Sequence, residues 1–176
     1  MIEKPPMDGL VKVMIQSSAA YNYYSSRHTP DKAYDSNVDT AYAAQDGNVT
    51  INWIKFSLGE SFPIKIIKIV GRIDSSSQAR IDGTKPYVHN AGQEVAYCGE
   101  VTGSDSDPTK LNEADQTFYL DCGGAVGDTI YMTDVMIQVN GIALNIAEVE
   151  IYTPATGLSQ YLYKVIPMPL RETNHQ

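Results

Sequence analysis

The sequence WIKFSLGESFPIKIIKIV, residues 53–70, decides the fold class of this chain. Apolar and polar residues alternate across Ile54–Leu58, which predicts a strand with one buried face. A turn is expected at Gly59-Glu60. Residues 62–70 are then apolar and mostly β-branched on both faces, apart from two lysines, which is typical of a central strand.

Shorter apolar runs on either side of this stretch predict further strands. They lie at residues 10–15, 87–88, 94–98, 117–122, 129–132, 135–139 and 142–151. Turn-forming clusters such as GSDSDP and Gly123-Gly124 separate them, and residues 16–31 are predicted to be an irregular loop. No window combines helical periodicity with caps at both ends. The pattern therefore predicts an all-β sandwich.

Length and charge limit the possible classes of protein. The 176 residues correspond to one domain, with a flexible lead-in at residues 1–9, a sandwich at residues 10–153 and an extension or linker at residues 154–176. A net charge of -8 argues against nucleic acid and anionic membranes as partners. No apolar run is long enough to span a bilayer, and the first residues do not have the pattern of a signal peptide.

Two cysteines and a sequon bear on the compartment. Cys98 and Cys122 each end an apolar run, so they are either buried free thiols or one disulfide between adjacent strands. Asn48 begins the sequon Asn-Val-Thr, a possible N-glycosylation site. Together these features favour an oxidising, extracellular location.

An oxygen-rich loop precedes the Trp53 strand. Asp35, Asn37, Asp39 and Asp46 lie close together in a segment without helical or strand periodicity. Carboxylate and carbonyl oxygens that converge in such a loop are the ligands that calcium prefers. The alternative interpretation is that these residues only form turns.

The last predicted strand has an irregular pattern. Apolar residues alternate in one phase up to Ile146 and in the opposite phase from Val149 onward. A bulge at Ala147-Glu148 accounts for this change of phase and points both residues in a new direction. The alternative is an ordinary strand end with a surface glutamate.

These segments together resemble a known family. The resemblance rests on Gln16-Ser-Ser, Ala33-x-Asp35-x-Asn37-x-x-Thr40, Trp53, Gly71-Arg72-x-Asp74, the cysteine pair and AEVEIY at residues 147–152. They resemble the F-type lectin (fucolectin-like) branch of the coagulation factor 5/8 C-type (discoidin), galactose-binding-like domains. The resemblance covers residues 10–153. It implies an antiparallel jelly-roll β-sandwich of about eight strands, a disulfide between Cys98 and Cys122, and a non-catalytic lectin function.

The resemblance also implies a structural calcium ion. Its ligands would be the carbonyls of Lys32, Asn37 and Ala147, the carboxylates of Asp35 and Glu148, and an oxygen of Asp46.

The sugar-binding motif of the family is only partly present. Arg72 and Asp74 match its Arg-x-Asp, and Arg80 lies one residue beyond the position of its second basic residue. Trp53 offers an apolar surface for a sugar ring. The position of the family's histidine falls on Gln45, so the motif is degenerate.

Two other classes of function compete with the lectin interpretation. The degenerate motif and the sequon suggest a sugar-independent adhesion or assembly module on the same fold. An enzyme is not predicted, because neither the carboxylates nor the histidines lie in a recognisable catalytic context. The expected partners are glycans or glycoproteins, with a homo-oligomer or a larger multidomain parent as possible assemblies.

Overall fold

The computed structural model of the protein describes residues 4–45, 52–72, 81–102, 116–134 and 144–156. Within these residues the chain forms nine strands and a short 3-10 helix at Pro30–Ala33. The strands are β1 (Leu10–Val13), β2 (Ser17–Ala20), β3 (Tyr42–Ala43), β4 (Asn52–Val70), β5 (Thr84–Asn90), β6 (Gln93–Tyr97), β7 (Thr117–Asp134), β8 (Asn145–Ile146) and β9 (Glu148–Pro154). The all-β class is confirmed.

A long ribbon of β4 and β7 organises the sheets. The order is β1-β9-β4-β7-β5-β6, with β2 also paired to β4, while β3 pairs with β8. All pairs within the described residues are antiparallel. β2 pairs with the first half of β4 and β9 with the second half, on either side of a register shift between Ser57 and Phe62. The predicted antiparallel sandwich is thus built on two halves of one ribbon.

The core lies between these halves. Fully buried side chains come from both of them and belong to one hydrophobic cluster: Phe56, Ile64, Ile67, Ile69, Phe118, Ile130 and Met132. Each such side chain stabilises the fold by about 1.5–3 kcal/mol as an upper estimate.

Two glycine-containing sites that the sequence predicts as strand ends lie inside strands. Gly59 has φ +80° within β4, and Gly123 and Gly124 have φ +67° and +82° within β7. Both sites coincide with register shifts in the β4–β7 ladder. Glycine adopts this left-handed conformation without steric cost, so the strands bulge and continue on the far side.

The predicted loop at residues 16–31 contains a strand. β2 pairs with β4 from Ser17 opposite Ser57 to Ala20 opposite Ile54. Serine and alanine give no strand signal in the sequence, because β propensity depends mainly on what a residue packs against. Residues 17–20 therefore form a strand because they pair with β4.

The disulfide implied by the resemblance is present. Cys98 follows β6, Cys122 lies in β7, and their Cα atoms are 4.5 Å apart. The two strands are not neighbours in the sheet, since β5 lies between them. The bridge therefore connects parts of the fold that share no strand ladder.

Both ends of β4 lie at one end of the sandwich. Ile81 lies against Gly71, directly after β4. Thr84 pairs with Asp134, which pairs with Asn52 at the start of β4. Residues 81–84 span at most about 10 Å, so both ends of the strand are close together.

We call this end of the sandwich the rim. It consists of residues 21–28, 42–45, 52–53, 71–72, 81–84 and 144–147. Backbone hydrogen bonds connect its segments to one another and to β4: Tyr21 N–H to Trp53 O at 3.0 Å, Tyr24 N–H to Ala43 O at 2.9 Å, Ala44 N–H to Leu144 O at 2.9 Å and Ala147 N–H to Val70 O at 2.8 Å.

Glu150 connects three neighbouring strands. Its Oε1 accepts a hydrogen bond from Lys12 on β1 at 3.0 Å, its Oε2 accepts one from the Tyr152 hydroxyl at 2.6 Å, and Lys68 on β4 lies 3.3 Å from Oε2. Burial raises the pKa of Glu150, but the hydrogen bonds from Tyr152 and Lys12 and the charge of Lys68 outweigh it and lower the pKa to about 2.

Replacing Glu150 by glutamine is expected to lower the free energy of unfolding by about 1–2 kcal/mol at pH 7. The folded pKa of about 2 lies below the unfolded value of 4.5, so this stabilisation is complete above pH 4.5 and is lost as the pH falls toward 2. Urea unfolding of both proteins between pH 7 and pH 2.5 measures the difference.

Glu100→Gln is the matched control for Glu150→Gln. Glu100 pairs with Lys85 at 3.2 Å but its side chain is 37% exposed. An exposed pair of this kind contributes at most about 1 kcal/mol. If the effect of Glu150→Gln does not shrink on acidification, its carboxylate is not the source of the stabilisation.

Candidate functional site

Arg72 is one of the two predicted sugar-binding residues that the structure describes, and Trp53 is the other. Arg72 follows β4 at the rim and is half-buried. Gly71 before it donates its N–H to Gln116 O at 2.9 Å, and a Cβ at Gly71 would lie 3.2 Å from Ile81 Cγ2. The close packing of Gly71 sets the direction in which the chain enters Arg72.

An aromatic segment lies at the same rim. Tyr21, Tyr23 and Tyr24 are 55%, 48% and 61% exposed. Large aromatic side chains that cluster at a surface are typical of binding sites, because they offer flat apolar area and a polar hydroxyl. The backbone bonds of Tyr21 and Tyr24 place this segment beside β3 and the start of β4.

His28, which the spacing of the motif did not indicate, lies at the rim just after these tyrosines. His28 Nδ1 is 2.9 Å from Ser25 Oγ, and its ring packs edge-on against Tyr24 with centroids 5.7 Å apart. Its carbonyl accepts a hydrogen bond from Ala43 N–H at 3.4 Å. The motif spacing pointed to Gln45, whereas the fold brings His28 to the rim from earlier in the chain. Its place in a tyrosine-rich loop was the available signal.

Trp53 has its backbone at the rim and its ring on the outer face of the sheet. The ring stacks on Tyr131, with centroids 5.9 Å apart and an interplanar angle of 26°. Lys55 Nζ lies 5.7 Å from the Trp53 ring centroid. The contacts of the Trp53 ring are thus with its own sheet.

The oxygen-rich loop is ordered by its own side chains. Asp35 Oδ1 accepts hydrogen bonds from Asn37 N–H at 3.1 Å and from the Thr40 hydroxyl at 2.9 Å. The same hydroxyl lies 2.9 Å from Asn37 O, and Lys32 Nζ is 3.3 Å from Asp35 Oδ2. These bonds hold the predicted ligands Lys32, Asp35 and Asn37 in one short loop.

Glu148 lies against this loop, although it is far away in sequence. Ser36 N–H donates to Glu148 Oε2 at 3.0 Å. Glu148 is 3% exposed, and its Oε1 has no hydrogen-bond partner among the described residues. Burial raises the pKa of Glu148 to about 7. A buried carboxylate oxygen without a partner is energetically costly.

A bend at Ala147 separates β8 from β9, at the position where the change of phase predicts a bulge within one strand. Ala147 is fully buried, and its N–H donates to Val70 O at 2.8 Å. β8 therefore pairs with β3, while β9 pairs with β1 and β4. This change of partners places Ala147 and Glu148 next to the oxygen-rich loop.

Several predicted site residues lie outside the described residues. They are Asp46, Asn48, Asp74 and Arg80. In the part of the chain that is described, no three His, Cys, Asp or Glu side chains form a metal cluster. Only two of the predicted calcium ligands there, Asp35 and Glu148, are carboxylates, and the others are backbone carbonyls.

The sequence profile of the F5/8 type C domain family matches residues 14–124. The chain belongs to this family. No curated protein matches this F5/8 type C domain. Over the residues that the structure describes, no helix has the length and apolar character needed to cross a membrane.

Solved structures of low sequence identity share the fold. A fucose binding module of Streptococcus pneumoniae has a TM-score of 0.65 at 16% identity, covering 81% of this chain and 98% of its own. The family 32 carbohydrate-binding module of C. perfringens NanJ, solved with galactose, has a TM-score of 0.64 at 17% identity, with the same coverage of 81% and 98%. A fucolectin of striped bass (Morone saxatilis) has a TM-score of 0.58 at 14% identity, covering 78% of this chain and 45% of its own.

Proposed function

We propose that this F5/8 type C domain is a non-catalytic carbohydrate-binding module whose sugar site is the rim. The observation that carries the proposal is that the half-buried Arg72, the exposed aromatic segment 21–24 and His28 lie at one end of the sandwich. The fucose- and galactose-binding relatives of this fold support the ligand class.

The residues at the rim suit the chemistry of a sugar. The planar guanidinium of Arg72 has five N–H donors, which match the hydroxyls and ring oxygen of a saccharide. The tyrosine rings can pack on the C–H face of a sugar ring, and their hydroxyls can donate or accept hydrogen bonds. The imidazole of His28 adds a further donor or acceptor.

A structural calcium ion is part of the proposal. The residues that would hold it are Lys32, Asp35, Asn37, Ala147 and Glu148, with Asp46 outside the described residues. Glu148 Oε1, which has no hydrogen-bond partner among the described residues, and the loop hydrogen-bonded to the same carboxylate support a cation there. When bound, calcium supplies positive charge that offsets the burial of Glu148 and fixes the loop beside the rim.

The disulfide supports an extracellular or secreted protein. Structural disulfides persist in oxidising compartments and are rare in the cytosol. Glycans and glycoproteins are the partners we propose for such a module.

Arg72→Ala is expected to weaken binding to the preferred glycan by about tenfold or more, because hydrogen bonds from a charged donor contribute about 1.5–3 kcal/mol. A glycan array run with calcium and with chelator identifies the ligand, and calorimetry on the best hit measures the affinity. Lys65→Ala is the control, since Lys65 pairs with Asp121 at 2.7 Å in the middle of β4.

Two results would overturn the proposal. One is an unchanged glycan affinity in Arg72→Ala. The other is the absence of saccharide binding at millimolar concentration while a protein partner binds, which would assign the domain to sugar-independent adhesion or assembly.

A further inference from the structure

A groove lies on the outer face of the sheet, apart from the sugar site proposed at the rim. Residues of β2, the first half of β4, β7 and β5 line it, together with Gly92 in the β5–β6 turn. Its volume is about 480 Å³. This volume lies within the range of about 300–1,000 Å³ that is usual for small-molecule sites.

An aromatic row borders the groove. Trp53 stacks on Tyr131 at 5.9 Å and 26°, and Tyr131 stacks on His89 at 5.3 Å and 29°. The three rings come from β4, β7 and β5 and point outward from the sheet, opposite to buried neighbours such as Ile54 and Ile130. Near-parallel stacking restricts each ring, so the row presents a pre-organised aromatic surface.

Small side chains, most of them serines, line the opposite border of the groove. Ser17 on β2 and Ser57 on β4 are cross-strand partners, and Ser17, Ser57 and Ala19 all contribute to the lining. Their small volume beside the large aromatic row creates the depression. The serine hydroxyls can donate and accept hydrogen bonds, although Ser57 Oγ already accepts one from Gly59 N–H at 3.4 Å.

The charge of the groove is opposite to that of the chain. The protein has a net charge of -8, yet none of the described residues that line the groove is acidic and one of them is Lys55. Within the described residues, no carboxylate pairs with Lys55. The neighbouring carboxylate of Asp128 already accepts hydrogen bonds from Ala91 N–H at 3.0 Å and the Thr129 hydroxyl at 2.9 Å.

We propose that this groove is a second saccharide site, specific for a sugar that carries a carboxylate or sulfate group. Aromatic rings pack on the C–H faces of the sugar, the serine hydroxyls bond its hydroxyls, and Lys55 pairs with the anionic group. The positive charge of Lys55 favours an anionic sugar over a neutral one. Much of the described lining is serine, alanine and lysine, residue types that are depleted at protein–protein interfaces.

Ligand binding in the groove can be followed by tryptophan fluorescence, because Trp53 is the one tryptophan of the chain. Its fluorescence is followed during titration with tetragalacturonate, with a sulfated galactan tetrasaccharide and with neutral galactotetraose. We expect a saturable change with at least one anionic sugar and weaker binding of the neutral one. The two anionic arms distinguish carboxylate from sulfate.

Lys55→Ala is expected to weaken anionic binding by about fivefold, and Lys65→Ala by less than about twofold. The affinity of Lys55→Ala for galactotetraose should not change. Thermal unfolding of both variants checks that the fold is retained, which is expected because both lysines point away from the core.

Three results would overturn the proposal. The first is no saturable fluorescence change with either anionic sugar. The second is a response that Arg72→Ala abolishes and Lys55→Ala does not, since binding would then occur at the rim. The third is a fluorescence change that follows dimerisation in sedimentation velocity without sugar, since a second copy of the chain would then occupy the groove.

Discussion

Replacing Cys98 and Cys122 together by alanine is expected to lower the free energy of unfolding by about 3–4 kcal/mol at 25 °C. The two residues are 24 positions apart in sequence. Breaking the crosslink increases the conformational entropy of the unfolded chain, and a loop of this length accounts for about 3.5 kcal/mol. Both cysteines are buried, so alanine also loses some apolar contact. Urea unfolding followed by circular dichroism measures the effect.

Reductant supplies the control for the disulfide experiment. Adding it to the wild type should move its unfolding midpoint toward that of the double variant, and adding it to the double variant should change nothing. Equal free energies of unfolding for the wild type and the variant would show that the crosslink does not stabilise the domain.

Chelation of calcium is expected to lower the free energy of unfolding by about 2–4 kcal/mol relative to saturating metal. An ion that binds only the folded state stabilises it according to its concentration relative to the dissociation constant. The loop around Asp35 meets Glu148 only in the folded chain, through the 3.0 Å hydrogen bond from Ser36. Thermal or urea unfolding with calcium and with chelator measures the difference.

Asp35→Ala should abolish the difference that the chelator makes. Asp31→Ala is the matched control, because its carboxylate is 56% exposed in the same region and is outside the predicted ligand set. It should keep the full calcium response. If chelation leaves the stability of the wild type unchanged, the calcium proposal fails.

The sequence determined the elements whose signal is local. Alternation across Ile54–Leu58 and the apolar run at residues 62–70 predicted strand structure that β4 contains. The change of phase after Ile146 predicted a bulge at Ala147-Glu148 within one strand, and the structure instead has a bend at Ala147 between β8 and β9. Side chains alternate between the faces of a strand, so burial of one face leaves a pattern that can be read along a few residues.

The tertiary structure alone decided which segments meet. It carried β4 past Gly59, added β2 to its edge, brought His28 to the rim and turned the Trp53 ring onto the outer face beside Tyr131. Each outcome depends on a partner strand that is distant in sequence, or on the register shifts at which the β4–β7 ribbon bends. Neither leaves a local pattern, so the sequence determined the strands with a buried, regularly spaced apolar pattern, while the fold determined β2 and the surfaces that the strands form together.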